Sequence, residues 1–282
     1  MVPSVETGNA DWQIRQNIVV HDRIARKYEA IHGEIFNDVE QSRLAGTLAR
    51  ARDAIRTPNP KLRALDFGCG SGNLTRHLLA LGLEVTAADV SQGFLDLVRS
   101  RYPDVEILLM NGRDLANVDT DSFDLVATYS VLHHVPDYLA AVQEMGRVTR
   151  PGGVIVIDHE PTERFWMPDP VYSEFRAKPL RFDWRKYLTP MNYVRRILRV
   201  FDPRYTIERD EGDIHVWPHD HIEWSLIAQL LGGVGFEVVF DEEYLLYRRL
   251  YCRSVYDQYV GRCTDTKAMI FRKRIAPAHD DE

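Results

Sequence analysis

The stretch Leu65-Asp66-Phe67-Gly68-Cys69-Gly70-Ser71-Gly72-Asn73-Leu74 decides the fold of this chain. Three glycines at alternating positions follow a short apolar run, Leu62 to Phe67, and open a segment with a helical pattern, Ser71 to Leu81. Because glycine has no Cβ atom, such a turn can bend tightly and let a ligand approach the backbone. The pattern predicts a buried strand, a ligand-binding turn and a helix. A tight turn without a ligand is the alternative that this stretch alone leaves open.

Strand and helix patterns alternate after this turn. The further apolar runs that predict strands are Leu83–Asp89, Val105–Met110, Phe123–Tyr129 and Val154–Asp158, with helices predicted from Ser91 to Arg101 and from Asp137 to just before Pro151. Two closing strands are predicted at Phe236–Phe240 and Lys267–Phe271. This alternation is typical of an α/β fold with a doubly wound, mostly parallel sheet, here of seven strands.

Three regions make up the predicted organisation. We expect residues 1–60 to form an N-terminal helical cap, residues 61–159 and 220–275 to form the core, and residues 160–219 to form a helical, aromatic insertion. In the cap, apolar residues at helical spacing predict one buried helix face, formed by Ile14, Ile18, Ile24, Tyr28, Ile31 and Ile35. A second helix is predicted over Ser42–Ile55. Near the C-terminal part, Asp220 and Glu223 resemble a capping box at the start of a helix over Asp220–Leu231.

Composition excludes several classes of protein. The chain has 282 residues with 35 basic and 42 acidic side chains, and a net charge of −7 argues against a general nucleic-acid binder. No apolar run approaches the ~20 residues of a transmembrane helix, and Met1–Asp11 lacks the pattern of a secretory signal. Cys69, Cys252 and Cys263 are too scattered for a disulfide framework or a cysteine zinc site. We therefore expect a cytoplasmic protein.

The ordered motifs resemble class I S-adenosylmethionine-dependent methyltransferases of the small-molecule type. The glycine turn resembles the first motif of that family, and the elements that resemble the others, in order, are Val85–Ser91, Asn111–Leu115, Phe123–Val126 with Val131–Asp137, and Arg147–Gly153. The resemblance covers residues 60 to 160. It implies a Rossmann-like methyltransferase fold and S-adenosyl-L-methionine as the cofactor.

The resemblance implies roles residue by residue. Asp66, Gly68, Cys69 and Gly70 would border the methionine portion of the cofactor, and Asp89, at the end of the second strand, would accept hydrogen bonds from the ribose hydroxyls. The remaining cofactor-binding residues are Val90, Asn111, Gly112 and Arg113 around the adenine, Tyr129 and Ser130 facing the sulfonium, and Tyr28 closing over the cofactor. Many family members have Asp in place of Asn111, whose amide can both accept and donate. Tyr28 can equally be a core residue.

Methyl transfer needs a nucleophile held in line with the methyl group, and an oxygen or nitrogen nucleophile can also need a base. Near the strand ends the candidates for catalysis are His134, His159 and Glu160, with His133 beside them. Since His133 and His134 both belong to the family pattern, a structural role for one of them stays open. His215, His219 and His221 with Asp220 invite a metal interpretation, but a substrate-lining cluster is favoured and no metal is predicted.

The resemblance implies that the insertion, residues 160–219, covers the substrate side. This insertion carries a local excess of positive charge. Between Arg176 and Arg204 it holds nine basic residues against only Asp183 and Asp202. A solvated helix face, an anionic substrate and contact with an anionic membrane surface all fit this pattern. We favour a small anionic or lipid-linked acceptor, with peripheral membrane contact through residues 176–204 as a further possibility.

Four functions remain to be weighed. The first is a methyltransferase acting on O, N or C of a small molecule, and the second is an RNA methyltransferase that tracks phosphates with residues 176–204. A dinucleotide oxidoreductase is the third, although the G-x-G-x-G spacing departs from the G-x-G-x-x-G of dinucleotide-binding turns. The fourth is a non-catalytic protein that keeps the cofactor pocket. The sequence leaves the acceptor, the base and the oligomeric state open.

Overall fold

The computed structural model describes residues 7–180, 214–217 and 220–275. The strands are β1 (Arg63–Phe67), β2 (Glu84–Asp89), β3 (Glu106–Leu109), β4 (Phe123–Tyr129), β5 (Thr149–Pro161), β6 (Val216–Trp217), β7 (Asp220–His221), β8 (Phe236–Tyr244) and β9 (Thr266–Lys273). The helices are α1 (Thr7–Ile24), α2 (Tyr28–Ile31), α3 (Asp38–Ala54), α4 (Asn73–Ala80), α5 (Gln92–Arg101), α6 (Tyr138–Val148), α7 (Glu163–Trp166), α8 (Pro170–Arg176), α9 (Trp224–Gly233) and α10 (Arg253–Tyr259). Within these described ranges, no helix is both long and apolar enough to cross a bilayer.

Seven strands form one sheet in the order β3-β2-β1-β4-β5-β9-β8. The strands β1 to β5 are mutually parallel, β9 is antiparallel to β5, and β8 is antiparallel to β9. The predicted doubly wound, mostly parallel sheet is therefore confirmed. Chain order reverses between β1 and β4, and in open α/β sheets such a switch point leaves a crevice at the carboxyl ends of the strands.

The core lies on both faces of the sheet because the central strands carry apolar side chains on both sides. In β4, every residue from Phe123 to Tyr129 is buried. Alternate side chains point to opposite faces. The residues that form the layer under α3, α4 and α5 include Ala64, Leu125, Val154, Leu48, Leu78 and Val98. The residues that form the layer under α6 and α9 include Leu65, Val126, Ile155, Met145, Ile227 and Leu231.

The predicted helix over Asp220–Leu231 is wrong at its start. Residues Asp220–His221 form β7, which pairs with β6, and the helix α9 begins at Trp224. Glu223, at the N-cap, makes no side-chain capping hydrogen bond. The carboxylate of Asp220 instead lies 2.6 Å from Nδ1 of His215, so it does not cap a helix.

The N-terminal cap also differs from its prediction. A break at His32–Asn37 separates α2 from α3, which begins at Asp38 rather than Ser42. The side chain of Asn37 caps α3 by accepting hydrogen bonds from the amides of Val39 and Glu40, each 3.1 Å long. Because Ile35 lies in this break, the six apolar positions do not share one helix face.

Two sequence predictions fall partly or wholly outside the described residues. The basic segment of residues 176–204 is described only as far as residue 180, and His219 of the histidine cluster is not described. In the described part, Lys178 pairs with Glu174 at 2.9 Å, and Arg176 lies over the ring of Tyr172.

A buried ion network attaches α3 to the sheet. The guanidinium of Arg43 lies 3.0 Å from Glu40 Oε2 and 3.0 Å from Asp158 Oδ2, and both carboxylates are buried. The hydroxyl of Tyr244 donates to Asp158 Oδ1 at 3.1 Å, and the guanidinium of Arg43 lies 3.8 Å from the centre of the Tyr244 ring. One cation therefore compensates two buried anions, from α3 and β5.

We expect the substitution Arg43→Met to lower the free energy of unfolding by about 3 kcal/mol or more, because it leaves Glu40 and Asp158 buried without their cation. The matched control is Arg52→Met on the same helix, since Arg52 is half exposed and lies 3.9 Å from an exposed Asp53. The control should stay within about 0.5 kcal/mol of the parent protein. Urea unfolding measures both, and equal effects of the two substitutions would contradict the role assigned to Arg43.

Candidate active site

A cavity lies at the carboxyl ends of β1, β2 and β4, at the switch point of the sheet. Its walls are the turn after β1, the ends of β2 and β3, the loop after β4 and the inner face of α1. Together with its open mouth it holds about 1120 Å³ of space. The position and the mixed apolar and polar walls are those of a small-molecule or cofactor site.

The turn after β1 requires glycine at position 68. The backbone of Gly68 has a φ of +75°, and a Cβ atom there would lie 2.6 Å and 2.7 Å from the two methyl carbons of Val131. The turn can therefore approach the loop after β4 only because this side chain is absent. The amides of Gly68 and Cys69 donate to the carbonyl of Ala88, which joins the turn to the end of β2.

Asp89 ends β2 and forms one side of the cavity. Its Oδ2 accepts a hydrogen bond of 2.9 Å from the amide of Gly70, and its Oδ1 accepts one of 2.8 Å from the amide of Ser91. Burial raises the pKa of Asp89 to about 6. Each carboxylate oxygen has a second lone pair, so Asp89 can still accept hydrogen bonds from ligand hydroxyls.

Asp66 is the second acid of the cavity. Its Oδ2 accepts a hydrogen bond of 2.6 Å from the hydroxyl of Thr75, whereas its buried Oδ1 has no hydrogen-bond partner among the described residues. Burial raises the pKa of this carboxyl to about 7, with a smaller contribution from Asp89. An unpartnered buried acceptor at a cavity wall is best satisfied by a ligand donor, and an ammonium group fits it in both charge and hydrogen bonding.

The helix α1 covers the cavity from the solvent side. Ile14, Asn17 and His21 line the cavity from one face of this helix. The side chain of Asn17 donates to the carbonyl of His134 at 2.8 Å. Burial, with help from neighbouring histidines, lowers the pKa of His21 to about 4, so its ring is neutral at pH 7. Sequence reasoning missed Asn17 and His21, although their spacing from Ile14 puts all three on one helix face.

A carboxylate anchors α1 to the loop after β2. Asp22 Oδ1 accepts hydrogen bonds from the hydroxyl of Ser91 and from the amide of Gly93. Because Ser91 also donates its amide to Asp89, the helix that covers the cavity is tied to the residue next to the cavity acid.

The structure brings together most of the predicted cofactor-binding residues. Those that line the cavity are Tyr28, Asp66, Gly68, Cys69, Gly70, Asp89, Val90, Gly112, Arg113, Tyr129 and Ser130. Asn111 is not among the lining residues. Its exposed side chain folds back on its own turn: the oxygen accepts hydrogen bonds from the amides of Arg113 and Asp114, and the nitrogen donates to the carboxylate of Asp114. This local bonding uses the groups that were expected to meet the adenine.

The three predicted catalytic residues lie in different surroundings. His134 lines the cavity, with its ring 5.3 Å from that of His21. Glu160 is fully buried: Oε1 accepts hydrogen bonds from the amides of Val131 and Leu132, and Oε2 lies 2.7 Å from His133 Nδ1. Both oxygens of Glu160 are therefore engaged in holding the loop after β4, which leaves it poorly placed to act as a base.

His159 lies in a second cavity, which meets the first at Ser130. The space in this second cavity and its mouth is about 650 Å³, and its walls include His133, Phe165, Trp166 and Arg248. Two of its wall residues, Ser130 and His159, have left-handed backbones with φ of +59° and +64°. Such strain costs about 1–3 kcal/mol per residue and clusters at functional sites.

The histidine cluster near β6 has a structural arrangement in the residues described. Both ring nitrogens of His215 are engaged, Nδ1 at 2.6 Å from Asp220 Oδ1 and Nε2 at 3.0 Å from the carbonyl of Val135. Among the described side chains, no group of three could hold a metal ion.

Comparison with known families gives the class of this domain. Residues 65–157 match the family model of a methyltransferase domain. This match supports a class I S-adenosylmethionine-dependent methyltransferase, a class whose cofactor is S-adenosylmethionine. The resemblance drawn from the ordered motifs is thereby confirmed, and the unpartnered oxygen of Asp66 and the carboxylate of Asp89 fit the amino and ribose groups of this cofactor.

Curated relatives match only part of the chain. A ubiquinone biosynthesis O-methyltransferase of Xanthomonas campestris pv. campestris is 33% identical over 108 residues, which are 37% of this chain and 45% of that protein. The protein of the same name from Alkalilimnicola ehrlichii is 35% identical over 98 residues, 33% of this chain and 40% of its own length. The chain thus spans less than half the length of these relatives.

Solved structures share the fold over a larger part of the chain. An S-adenosylmethionine-dependent methyltransferase from Mesorhizobium loti has a TM-score of 0.51 at 19% identity, covering 80% of this chain and 96% of that one. The cyclase SpnF has a TM-score of 0.50 at 17% identity, and the match covers 83% of this chain and 80% of SpnF. At these identities the likeness establishes the fold alone.

We expect binding of S-adenosylhomocysteine, the demethylated cofactor, to release protons near pH 6.5. Its ammonium and ribose groups favour the ionised forms of Asp66 and Asp89, whose raised pKa values leave them partly protonated in the free protein. The release should be on the order of one proton. Calorimetric titration in buffers of different ionisation enthalpy measures it.

Asp66→Asn should remove most of this release, whereas the exposed control Asp96→Asn should keep it. Because these two pKa values are raised in the folded protein, Asp66 and Asp89 each contribute a part of the free energy of unfolding that is lost as pH rises from about 4 to 7, so the stability of the parent protein relative to Asp66→Asn should fall over this range. A binding heat that is the same in all buffers would contradict the linkage.

Loss of the anchor on α1 should speed release of the cofactor. We expect Asp22→Ala to raise the dissociation rate of S-adenosylhomocysteine about tenfold, equivalent to about 1.4 kcal/mol, because it removes two hydrogen bonds to the loop after β2. The control is Arg23→Ala at an exposed position of the same helix. Stopped-flow displacement measures the rate, and equal rates for the two variants would refute the anchoring role.

Proposed function

We propose that this protein transfers the methyl group of S-adenosylmethionine to a small-molecule acceptor. The observation that carries the proposal is the cavity at the switch point, where the buried Oδ1 of Asp66 has no hydrogen-bond partner among the described residues and Asp89 lies across the glycine turn. The relatives that match part of the chain are named O-methyltransferases, which favours oxygen over nitrogen or carbon as the accepting atom.

In this function Asp66, Asp89 and the helix α1 each contribute to binding the cofactor. Asp66 would hold the amino group of the cofactor, Asp89 would hold the ribose hydroxyls, and Val90 would lie beside the adenine. The cofactor supplies an electrophilic methyl group on a positively charged sulfur. The helix α1 keeps water out, through Ile14 and the hydrogen bond from Asn17 to the loop after β4. A dry, ordered site of this kind favours in-line transfer.

The acceptor would reach the methyl group from the side of Tyr129 and Ser130. These residues end β4, line the first cavity, and in the case of Ser130 also line the second. His134 lies on the first cavity and His159 on the second, so each remains a candidate to take a proton from the acceptor. Arg248, in the wall of the second cavity, supports an acceptor with a negative charge.

Calorimetric titration with S-adenosylmethionine tests the cofactor assignment. We expect micromolar binding by the parent protein and at least tenfold weaker binding by Asp89→Ala, a difference of about 1.4 kcal/mol. Asp96→Ala, an exposed substitution on α5, is the matched control and should bind as the parent does.

Production of S-adenosylhomocysteine in the presence of acceptor mixtures then tests the reaction. A folded protein that binds no S-adenosylmethionine would refute the proposal, and binding of NADH in its place would support the oxidoreductase alternative. Binding without turnover on any acceptor would favour a non-catalytic role.

A further inference from the structure

The second cavity has an aromatic wall. The rings of Phe165 and Trp166 meet edge to face, with centroids 4.5 Å apart and planes at 84°. The guanidinium carbon of Arg248 lies 5.6 Å from the centre of the Phe165 ring. Flat aromatic ligands pack well on such surfaces, where ring contacts add about 0.5–1.5 kcal/mol to the burial of apolar area.

Two polar atoms of the cavity residues are buried and have no hydrogen-bond partner in the described part of the chain. They are the Nε2 atom of His159 and the indole nitrogen of Trp166. The indole N–H is a donor only, whereas the histidine nitrogen accepts a hydrogen bond when the ring is neutral and protonated at Nδ1. An unsatisfied buried polar group costs about 1–3 kcal/mol. The pair therefore calls for a ligand that offers both an acceptor and a donor.

A buried carboxylate, that of Asp265, holds the guanidinium of Arg248 in place. A side-chain nitrogen of Arg248 donates to the fully buried Asp265, which also accepts hydrogen bonds from the hydroxyl of Tyr172 at 2.9 Å and the amide of Leu246 at 2.8 Å. The hydrogen bond to Asp265 uses Nη1, one of the nitrogens of a guanidinium that has five N–H donors. A rigidly held guanidinium of this kind can bind a carboxylate through two parallel hydrogen bonds.

His159 is fixed between the two cavities. Its ring stacks on that of Tyr129, with centroids 4.6 Å apart, and Tyr129 lines the cofactor cavity. Its backbone amide donates to the side chain of Asp158 at 2.6 Å, which holds the left-handed conformation. Ser130, which lines both cavities, is the point at which an acceptor beside His159 would approach the cofactor.

We propose that the second cavity is the acceptor site and that it takes a hydroxylated aromatic acid. The ring lies on Phe165 and Trp166, the carboxylate pairs with Arg248, and the hydroxyl that is methylated donates to Nε2 of His159. This assignment rests on the proposed methyl transfer and adds the class of acceptor to it.

The chemical step balances with these groups alone. The acceptor O–H bond breaks and its proton moves to Nε2 of His159, while an electron pair of the oxygen forms the bond to the methyl carbon. The carbon–sulfur bond breaks and its electron pair stays on sulfur, which becomes a neutral thioether. The histidine then returns its proton to solvent.

The surroundings of His159 make it neutral before the acceptor binds. Burial lowers its pKa well below the usual value, and the charged or titratable neighbours Arg43, Arg248 and His133 lower it further. A carboxylate bound at Arg248 would offset one of these charges and so make the ring more basic. Binding of the methyl acceptor thereby increases the basicity of His159, the residue that takes its proton.

Binding to protein saturated with S-adenosylhomocysteine tests the assignment of the cavity. The probes are 3,4-dihydroxybenzoate, catechol, which lacks the carboxylate, and lactate, which lacks the ring. We expect 3,4-dihydroxybenzoate to bind at least tenfold more tightly than either of the others. Arg248→Lys keeps the charge beside Asp265 but not the planar fork, so it should weaken 3,4-dihydroxybenzoate about tenfold and leave catechol unchanged. Trp166→Phe keeps a ring and removes the N–H, and should weaken both aromatic probes.

Turnover tests the role of His159. With 3,4-dihydroxybenzoate as acceptor, His159→Gln should lower kcat at least 100-fold at pH 7, the range of general base catalysis, with unchanged affinity for S-adenosylhomocysteine. The loss should shrink as pH rises towards the ionisation of the phenol itself, because an ionised acceptor needs no base. A merely structural role would give a loss that does not depend on pH.

The outcomes separate the two proposals. Tight binding of S-adenosylhomocysteine with no binding of 3,4-dihydroxybenzoate would overturn the acceptor assignment and leave methyl transfer standing. If catechol bound as tightly as 3,4-dihydroxybenzoate, the role of Arg248 would be overturned. If lactate bound as tightly as 3,4-dihydroxybenzoate, the role of the aromatic wall would be overturned. Failure of the folded protein to bind S-adenosylhomocysteine would overturn both proposals.

Discussion

The hydrogen bond from the amide of Gly70 to Asp89 joins the ends of β1 and β2, and the rest of the site depends on it. It fixes the glycine turn against one cavity acid and orients the other, Asp66, from the strand that leads into the turn. The absence of a side chain at Gly68 lets the loop after β4 close on the same turn. Three strand ends thus meet within a few ångströms, and that meeting point is the cofactor cavity.

Glu160 has a comparable position on the side of the second cavity. Its carboxylate binds the amides of Val131 and Leu132 and contacts His133, so β5 holds the loop after β4 through one buried side chain. Ser130 and His159, the residues with left-handed backbones on the same two strands, lie where the two cavities adjoin: Ser130 lines both cavities and His159 lines the second. Buried hydrogen bonds hold this strained backbone in place, which keeps the boundary of the two cavities rigid.

The sheet, the glycine turn and most of the residues that line the cavity could be predicted because local sequence encodes them. Apolar runs followed by glycine mark buried strands, and the motif order fixes which strand ends adjoin. Asn111 and Asp220 were misjudged because each has a local partner, its own turn in one case and His215 in the other, that a motif or a capping pattern does not reveal. Asn17, His21 and the anchoring of Glu160 depend on contacts between residues far apart in sequence, which periodicity does not report.

The anchor on α1 sets the order in which the molecule can be assembled. Asp22 binds Ser91, 69 positions later, and Asn17 binds the carbonyl of His134, 117 positions later. During synthesis α1 leaves the ribosome before either partner exists, and helices in proteins owe most of their stability to tertiary packing. The contacts that hold α1 over the cavity can therefore form only after residue 134 has been made, so an early segment of the described chain depends on partners that are made much later.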